Sequence, residues 1–123
     1  MRVMKTSAPL TPLTPAVLYI LLALATGEKH GYAIMKQVKS DSGGHVKMGS
    51  GTLYGSIKRM LADELIEEAG DKIDPTIDDE RRRYYQLTAL GRQALNREMQ
   101  RYSDVITIAR NRNLLSNASI RPV

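Results

Sequence analysis

Gly51-Thr52-Leu53-Tyr54-Gly55-Ser56-Ile57-Lys58-Arg59-Met60 is the stretch whose reading decides the fold. Its apolar residues recur with a helical period. Leu53, Ile57, Met60 and Leu61 fall on one side, joined there by Glu64. Gly51, Thr52, Gly55, Lys58 and Arg59 gather on the other. That outer face is basic, and near its middle stands a residue with no side chain. Glycine inside a helix costs about 1 kcal/mol relative to alanine, so its place needs a reason. One reason is a bulky object that approaches the backbone, and a DNA duplex meeting Lys58 and Arg59 is such an object. A solvated face that happens to carry a glycine is the competing reading. The decamer alone does not separate the two.

Working outward, the upstream segment supplies two more helices. Met1 to Pro12 carries Arg2, Lys5 and two prolines and reads as a flexible basic arm, residues 1–12. Thr14-Pro15 is a helix start, because Thr caps well and Pro is tolerated at the first helical position. Val17, Leu18, Ile20, Leu21, Leu22 and Leu24 then cover almost the whole circumference, which predicts burial on more than one side. Gly27 ends this helix. His30-Gly31-Tyr32 opens a second helix through about Lys39, with Ile34, Met35 and Val38 inward and the His30 ring half exposed. Ser40-Asp41-Ser42-Gly43-Gly44 is a turn signal. The third helix, about Ser50 to Asp63, follows. Three closely spaced helices, the third with a basic outer face, outline a helix-turn-helix.

Downstream, Leu65–Ala69 and Arg83–Leu87 read as strands. Gly70 to Arg82, holding Asp71, Asp74, Pro75, Asp78, Asp79 and Glu80, reads as a long hairpin loop with its acidic residues solvated. A hairpin after a recognition helix is a wing. Thr88 caps a last helix to about Leu115. Leu95, Met99, Tyr102, Ile106 and Ala109 recur by fours and threes, a heptad seam widened by Val105 and Ile108. A small winged domain cannot cover that seam, so a second copy of the chain is the expected partner. The expected layout is a winged helix-turn-helix at 13–87, a dimerisation helix at 88–115 and a disordered tail at 116–123. The fold class is mainly α with a small β-hairpin.

Composition bounds the rest. The 123 residues make one domain, or one domain with an appended element. Aromatic content is 5 %, all tyrosine, so the core is thin and oligomerisation would supplement it. The net charge of +5 and pI near 9.6 suit a polyanionic partner. There is no Cys, hence no disulfide, and His30 and His45 are too isolated to suggest zinc. Met1 to Pro12 lacks the apolar centre of a signal peptide. Ala16 to Ala25 is shorter than the ~20 residues of a membrane span, and a cytoplasmic protein is expected. No phosphate loop, nucleophile elbow or metal motif appears. Neither an enzyme activity nor a cofactor is expected.

Five pieces, in order, resemble the PadR-like transcriptional regulators of bacteria. They are Leu18 with Leu21-Leu22; His30-Gly31-Tyr32; Gly51-Thr52-Leu53-Tyr54 with Ile57 and Arg59; Leu65-Ile66; and Arg83-Tyr84-Tyr85 through Leu87-Thr88 to Gly91. They span roughly residues 14 to 92. The resemblance implies a homodimeric winged-helix repressor whose third helix and wing contact operator DNA, released by an unknown signal. One C-terminal helix implies the short branch of the family. The family includes sensors of phenolic acids and drugs, so a small-molecule effector is a possible further partner. Three departures stand out. Glu64 replaces a usual glycine after the recognition helix, where it would be strained, so that the helix is expected to end differently. Gly49 replaces a capping Ser. The wing loop carries five acidic residues, which shifts any phosphate contact to Arg81 and Arg82.

Read residue by residue, Lys58 and Arg59 beside Gly55 favour phosphate or base contact over a solvated face. Ser50, Gly51 and Thr52 lie at a helix N-terminus, which favours phosphate, though either hydroxyl serves equally as a cap. Tyr54 flanks the same face and either donates to a phosphate or packs against the wing. Arg81, Arg82 and Arg83 read as a wing grip or as a strand-end cluster balancing acids, the latter above all for Arg83. The expected DNA-binding set is therefore Ser50, Gly51, Thr52, Tyr54, Gly55, Lys58, Arg59, Arg81 and Arg82. Leu95, Met99, Tyr102, Ile106 and Ala109 are the expected dimer interface. A winged-helix module that binds protein would show an apolar patch on the third helix. A reader of single-stranded RNA would cluster its tyrosines for stacking. Both rank below DNA binding.

Overall fold

Thr14 opens the first helix. Its side chain accepts a hydrogen bond from the Val17 amide, and Pro15 takes the first helical position. The computed structural model describes residues 12–76 and 81–115. Within them lie α1 (Pro15–Leu24), β1 (Lys29–His30), α2 (Gly31–Asp41), α3 (Ser50–Ala62), β2 (Ile66–Ile73), β3 (Arg81–Leu87) and α4 (Ala89–Asn111). The basic arm, apart from Pro12, and the tail lie outside the described residues, as do Asp78, Asp79 and Glu80 of the acidic loop.

One core organises these elements. Ile20, Leu21 and Leu24 of α1 meet Ile34 and Val38 of α2, Leu53, Ile57 and Met60 of α3, and Ala94 and Leu95 of α4, all buried. Leu65, Ile66 and Tyr85 close it from the hairpin side. Each fully buried Ile or Leu contributes roughly 2 kcal/mol. The three anchors of α3 therefore fix that helix about its axis and turn its opposite face outward. At the N-terminal end, Glu98 of α4 is buried. Its carboxylate accepts from the Leu13 amide at 3.1 Å and from Arg101 Nε at 3.1 Å, which ties the start of the fold to α4.

α3 ends in a left-handed residue despite the lack of glycine. Glu64 has φ of 62°, its amide donates to the Leu61 carbonyl, and the Leu65 amide donates to the Met60 carbonyl. This pair of bonds is a Schellman motif, so the different ending expected of Glu64 is not found. Tertiary bonds hold the turn. The Thr88 hydroxyl donates to the Glu64 carbonyl at 2.6 Å, and the Thr88 amide to the Leu65 carbonyl at 3.2 Å. The first turn of α4 packs so closely here that a Cβ on Gly91 would fall on the Leu65 carbonyl oxygen.

The sheet is antiparallel in the order β1-β3-β2. The expected long hairpin loop is shorter than its sequence suggested: β2 runs on to Ile73 and β3 begins at Arg81. Asp71, Lys72 and Ile73 pair with Arg83, Arg82 and Arg81. Only Asp71 and Arg83 set unlike charges opposite each other, which favours pairing; Lys72 faces the like-charged Arg82, and its ammonium is paired instead with Glu28. Gly70, expected as the first residue of the hairpin loop, lies inside β2 at an irregularity of the register between Glu68 and Gly70. β1 was not anticipated. Two residues carry no periodicity, and Lys29 and His30 become a strand only because Tyr85 and Tyr84 lie beside them. At the other end, α4 stops at Asn111, short of the expected Leu115. Asn113 turns left-handed with φ of 60°, and the Leu114 amide returns to the Ala109 carbonyl.

Candidate nucleic-acid interface

The outward face of α3 follows from its inward one. With Leu53, Ile57 and Met60 buried, Ser50, Gly51, Thr52, Tyr54, Gly55, Lys58 and Arg59 are all exposed. Apart from its chain neighbours and the backbone of its own helix, a Cβ on Gly55 would meet no heavy atom of the described residues within 4 Å. Nothing among the described residues requires glycine there, which directs attention to what lies outside them. No acidic side chain occurs between Ser50 and Ala62 to offset Lys58 and Arg59. Gly49 caps the helix without a side-chain bond, which leaves first-turn amides available to an anion.

The wing stands beside this face. A polar cleft of about 230 Å³ is lined by Tyr54 of α3, His30 and Gly31 at the start of α2, and Arg81, Arg82 and Arg83 of β3. The Tyr54 hydroxyl end rests on Gly31, while the side chain as a whole stays 49 % exposed. Arg81 is exposed and its Nη1 donates to the Asp71 carbonyl at 3.1 Å. Arg82 places its guanidinium 5.8 Å from the centre of the Tyr32 ring, whose surroundings also include Lys36 Nζ at 5.5 Å. Arg83 is committed elsewhere. It bonds Glu68 at 3.2 Å and lies 3.8 Å from Asp71. Among the described residues its acidic partners are thus on strand β2.

His30 differs from expectation. Its ring is buried, 1 % exposed, where a half-exposed ring was expected. Nδ1 accepts from the Ala33 amide at 3.1 Å and so caps α2, while Nε2 lies 3.0 Å from Asp74 Oδ2. Tyr84 meets the ring edge-on at 5.2 Å and Tyr32 lies parallel at 6.5 Å. Asp74 is accordingly not a plain solvated acid. Hydrogen bonds from the Thr76 hydroxyl, then from His30, then from the Thr76 amide hold its carboxyl at about 2, below the ordinary 3.8. The sequence signal for this pair was weak, since a His and an Asp separated by 44 positions meet only through the fold.

On α4 the expected seam divides. Leu95 is buried within the chain at 4 % exposure, and Ile106 and Ala109 are half-buried. Met99, Tyr102, Val105 and Ile108 are exposed, Val105 most of all at 56 %. No helix among the described residues is long and apolar enough to cross a membrane.

Three helices, the third turned outward, followed by an antiparallel hairpin define a winged helix of the DNA-binding type. The model of the "Transcriptional regulator PadR-like family" matches residues 20–97. The chain belongs to that family. A PadR family transcription regulator from Clostridium difficile R20291 superposes with a TM-score of 0.66 at 26 % identity, over 80 % of this chain and 97 % of that one. The Bacillus subtilis PadR in complex with operator DNA superposes at 0.54 with 25 % identity, over 65 % of this chain and 44 % of that one. A 37.1 kDa protein of transposon TN4556 from Streptomyces fradiae is 39 % identical over 83 residues, 68 % of this chain. The chain spans only 21 % of the length of that relative.

Proposed function

We propose that this chain is a sequence-specific DNA-binding transcriptional regulator of the bacterial cytoplasm, acting as a homodimeric repressor that a signal releases. The observation that carries this reading is the exposed α3 face. Gly55 leaves the backbone open, Lys58 and Arg59 stand beside it without an acid on the helix, and Arg81 and Arg82 flank it on the wing. Ser50, Gly51, Thr52 and Tyr54 complete the surface. The family membership supports the reading, as does the operator-bound state of the Bacillus relative. The winged-helix part, 13–87, binds DNA in this proposal. The α4 segment within 88–115 joins two copies through its exposed Met99, Tyr102, Val105 and Ile108.

Selection of duplexes from a random pool tests it. A two-fold dimer should enrich a near-palindrome with half-sites about 10 bp apart. The affinity should fall linearly in log–log with salt, with a slope near 0.9 for each phosphate neutralised. Failure to enrich any duplex, or binding without a salt slope, would sink the proposal.

A further inference from the structure

The hairpin is attached to the helical body near its base through backbone pairing, where His30 of β1 faces Tyr84 of β3. A single attachment would leave a protruding ribbon free to swing. The side chain of the same His30 makes a second attachment further out, at Asp74, which directly follows the Ile73–Arg81 pair. Tyr84 and Arg81 are three residues apart, so the two attachments are separated by roughly 10 Å along the ribbon. Two fixed points define a direction where one does not.

The protons are assigned by the bonds. Nδ1 accepts from the Ala33 amide, so the ring hydrogen is on Nε2 and is donated to Asp74 Oδ2. The other carboxylate oxygen, Oδ1, accepts from the Thr76 amide at 3.0 Å and from the Thr76 hydroxyl at 2.5 Å. The carboxylate is thereby held in place on the turn side as well. The imidazole is out of water, flanked by Tyr84 and Tyr32, so its end of the bond is shielded, while the Asp74 carboxylate keeps partial access to solvent.

Resting on the DNA-binding reading above, we propose that His30 and Asp74 form a clasp that positions the wing, and with it Arg81 and Arg82, against duplex DNA. Both are positioning residues and neither touches the nucleic acid. Asp74→Ala opens the clasp while sparing the Nδ1 cap of α2, so the packing of the helical core is kept and the stability lost is that of the wing's attachment.

Two measurements on the full chain test this. In the first, hydrogen exchange of the free protein, Asp74→Ala should speed the amides of Asp71–Ile73 and Arg81–Arg83 by tenfold or more and leave those of α1 and α3 unchanged. In the second, binding to the selected duplex, Asp74→Ala should lose about tenfold in affinity and lower the salt slope by about one to two, as the Arg81→Ala/Arg82→Ala double variant does. Adding Asp74→Ala to that double variant should lose nothing more. A merely structural role would not give this non-additivity. Unchanged exchange in Asp74→Ala, or a loss that adds in full to that of the arginine variants, overturns the clasp. If Asp74→Ala matches a wild type that binds, the clasp alone falls. A wild type that binds no duplex removes the DNA-binding reading, and the use proposed for the clasp falls with it.

Discussion

Replacing Gly55 by glutamate should separate stability from binding in opposite directions. The site is open, since beyond its chain neighbours and its own helix backbone no heavy atom of the described residues lies within 4 Å of where a Cβ would be. The new side chain therefore meets no steric penalty. Glutamate is the better helix former by roughly 0.5 kcal/mol. Lys58 and Arg59 lie three and four positions further along the same helix, and each pair with the new carboxylate adds about 0.2–0.5 kcal/mol. The sum is about 1 kcal/mol of added stability, or a rise of about 4–8 °C in Tm for a small domain. Binding should go the other way. The carboxylate would stand where phosphate approaches and would draw Lys58 and Arg59 away from it. Like-charge apposition in an interface costs several kcal/mol, hence a loss of on the order of hundredfold or more in affinity. Gly55→Ala supplies the control, with a comparable gain in stability and no added charge. The assay is differential scanning calorimetry and fluorescence anisotropy with the selected duplex, both on the same samples. A Gly55→Glu protein that gains stability and still binds at wild-type affinity would show that DNA does not approach this face. One that loses stability would show that the site is not open.

Three further outcomes are expected. Glu64→Gly relieves a left-handed residue at φ of 62°; a strain of about 1–2 kcal/mol, less the chain entropy of glycine, leaves a net gain near 1 kcal/mol, seen as a higher urea midpoint with unchanged m-value, and a lower midpoint would contradict the assignment. Asp at Val105 and Ile108 together should give folded monomers by sedimentation and circular dichroism, whereas Leu95→Asp should unfold the chain, because only Leu95 is buried within the protomer. The Asp74 carboxyl should titrate near 2 by carbon NMR and move up toward 3.8 in Thr76→Ala. Because its folded value is the lower one, its contribution to stability is complete above about pH 4 and lost as the pH falls toward 2.

Much of the fold was legible because it is written in local signals. Thr14 and Thr88 are capping residues, and both cap helices here. The period of Leu53, Ile57 and Met60 places them on one face, and the core receives that face. Where local signals are weak, distant partners override them. Asp71 and Gly70 look like loop residues until Arg83 is placed opposite Asp71. His30 looks like a surface cap until Tyr84, Tyr32 and Asp74 surround it. Leu95 belongs to a heptad seam by spacing, and the fold buries it in the core of the single chain.

By itself, then, the sequence determined which segments are helices, which face of α3 turns outward, and that this face is basic around a glycine. Periodicity and capping act over three or four residues, and no distant partner is needed to read them. The tertiary structure alone decided that Lys29-His30 is a strand, that Arg83 is held by Glu68 and Asp71 while Arg81 and Arg82 line the cleft beside Tyr54, and that the wing is fastened to α2 through Asp74. Each of these rests on groups far apart in the chain. A buried imidazole or a two-residue strand gains its stability only from the neighbours that folding brings to it.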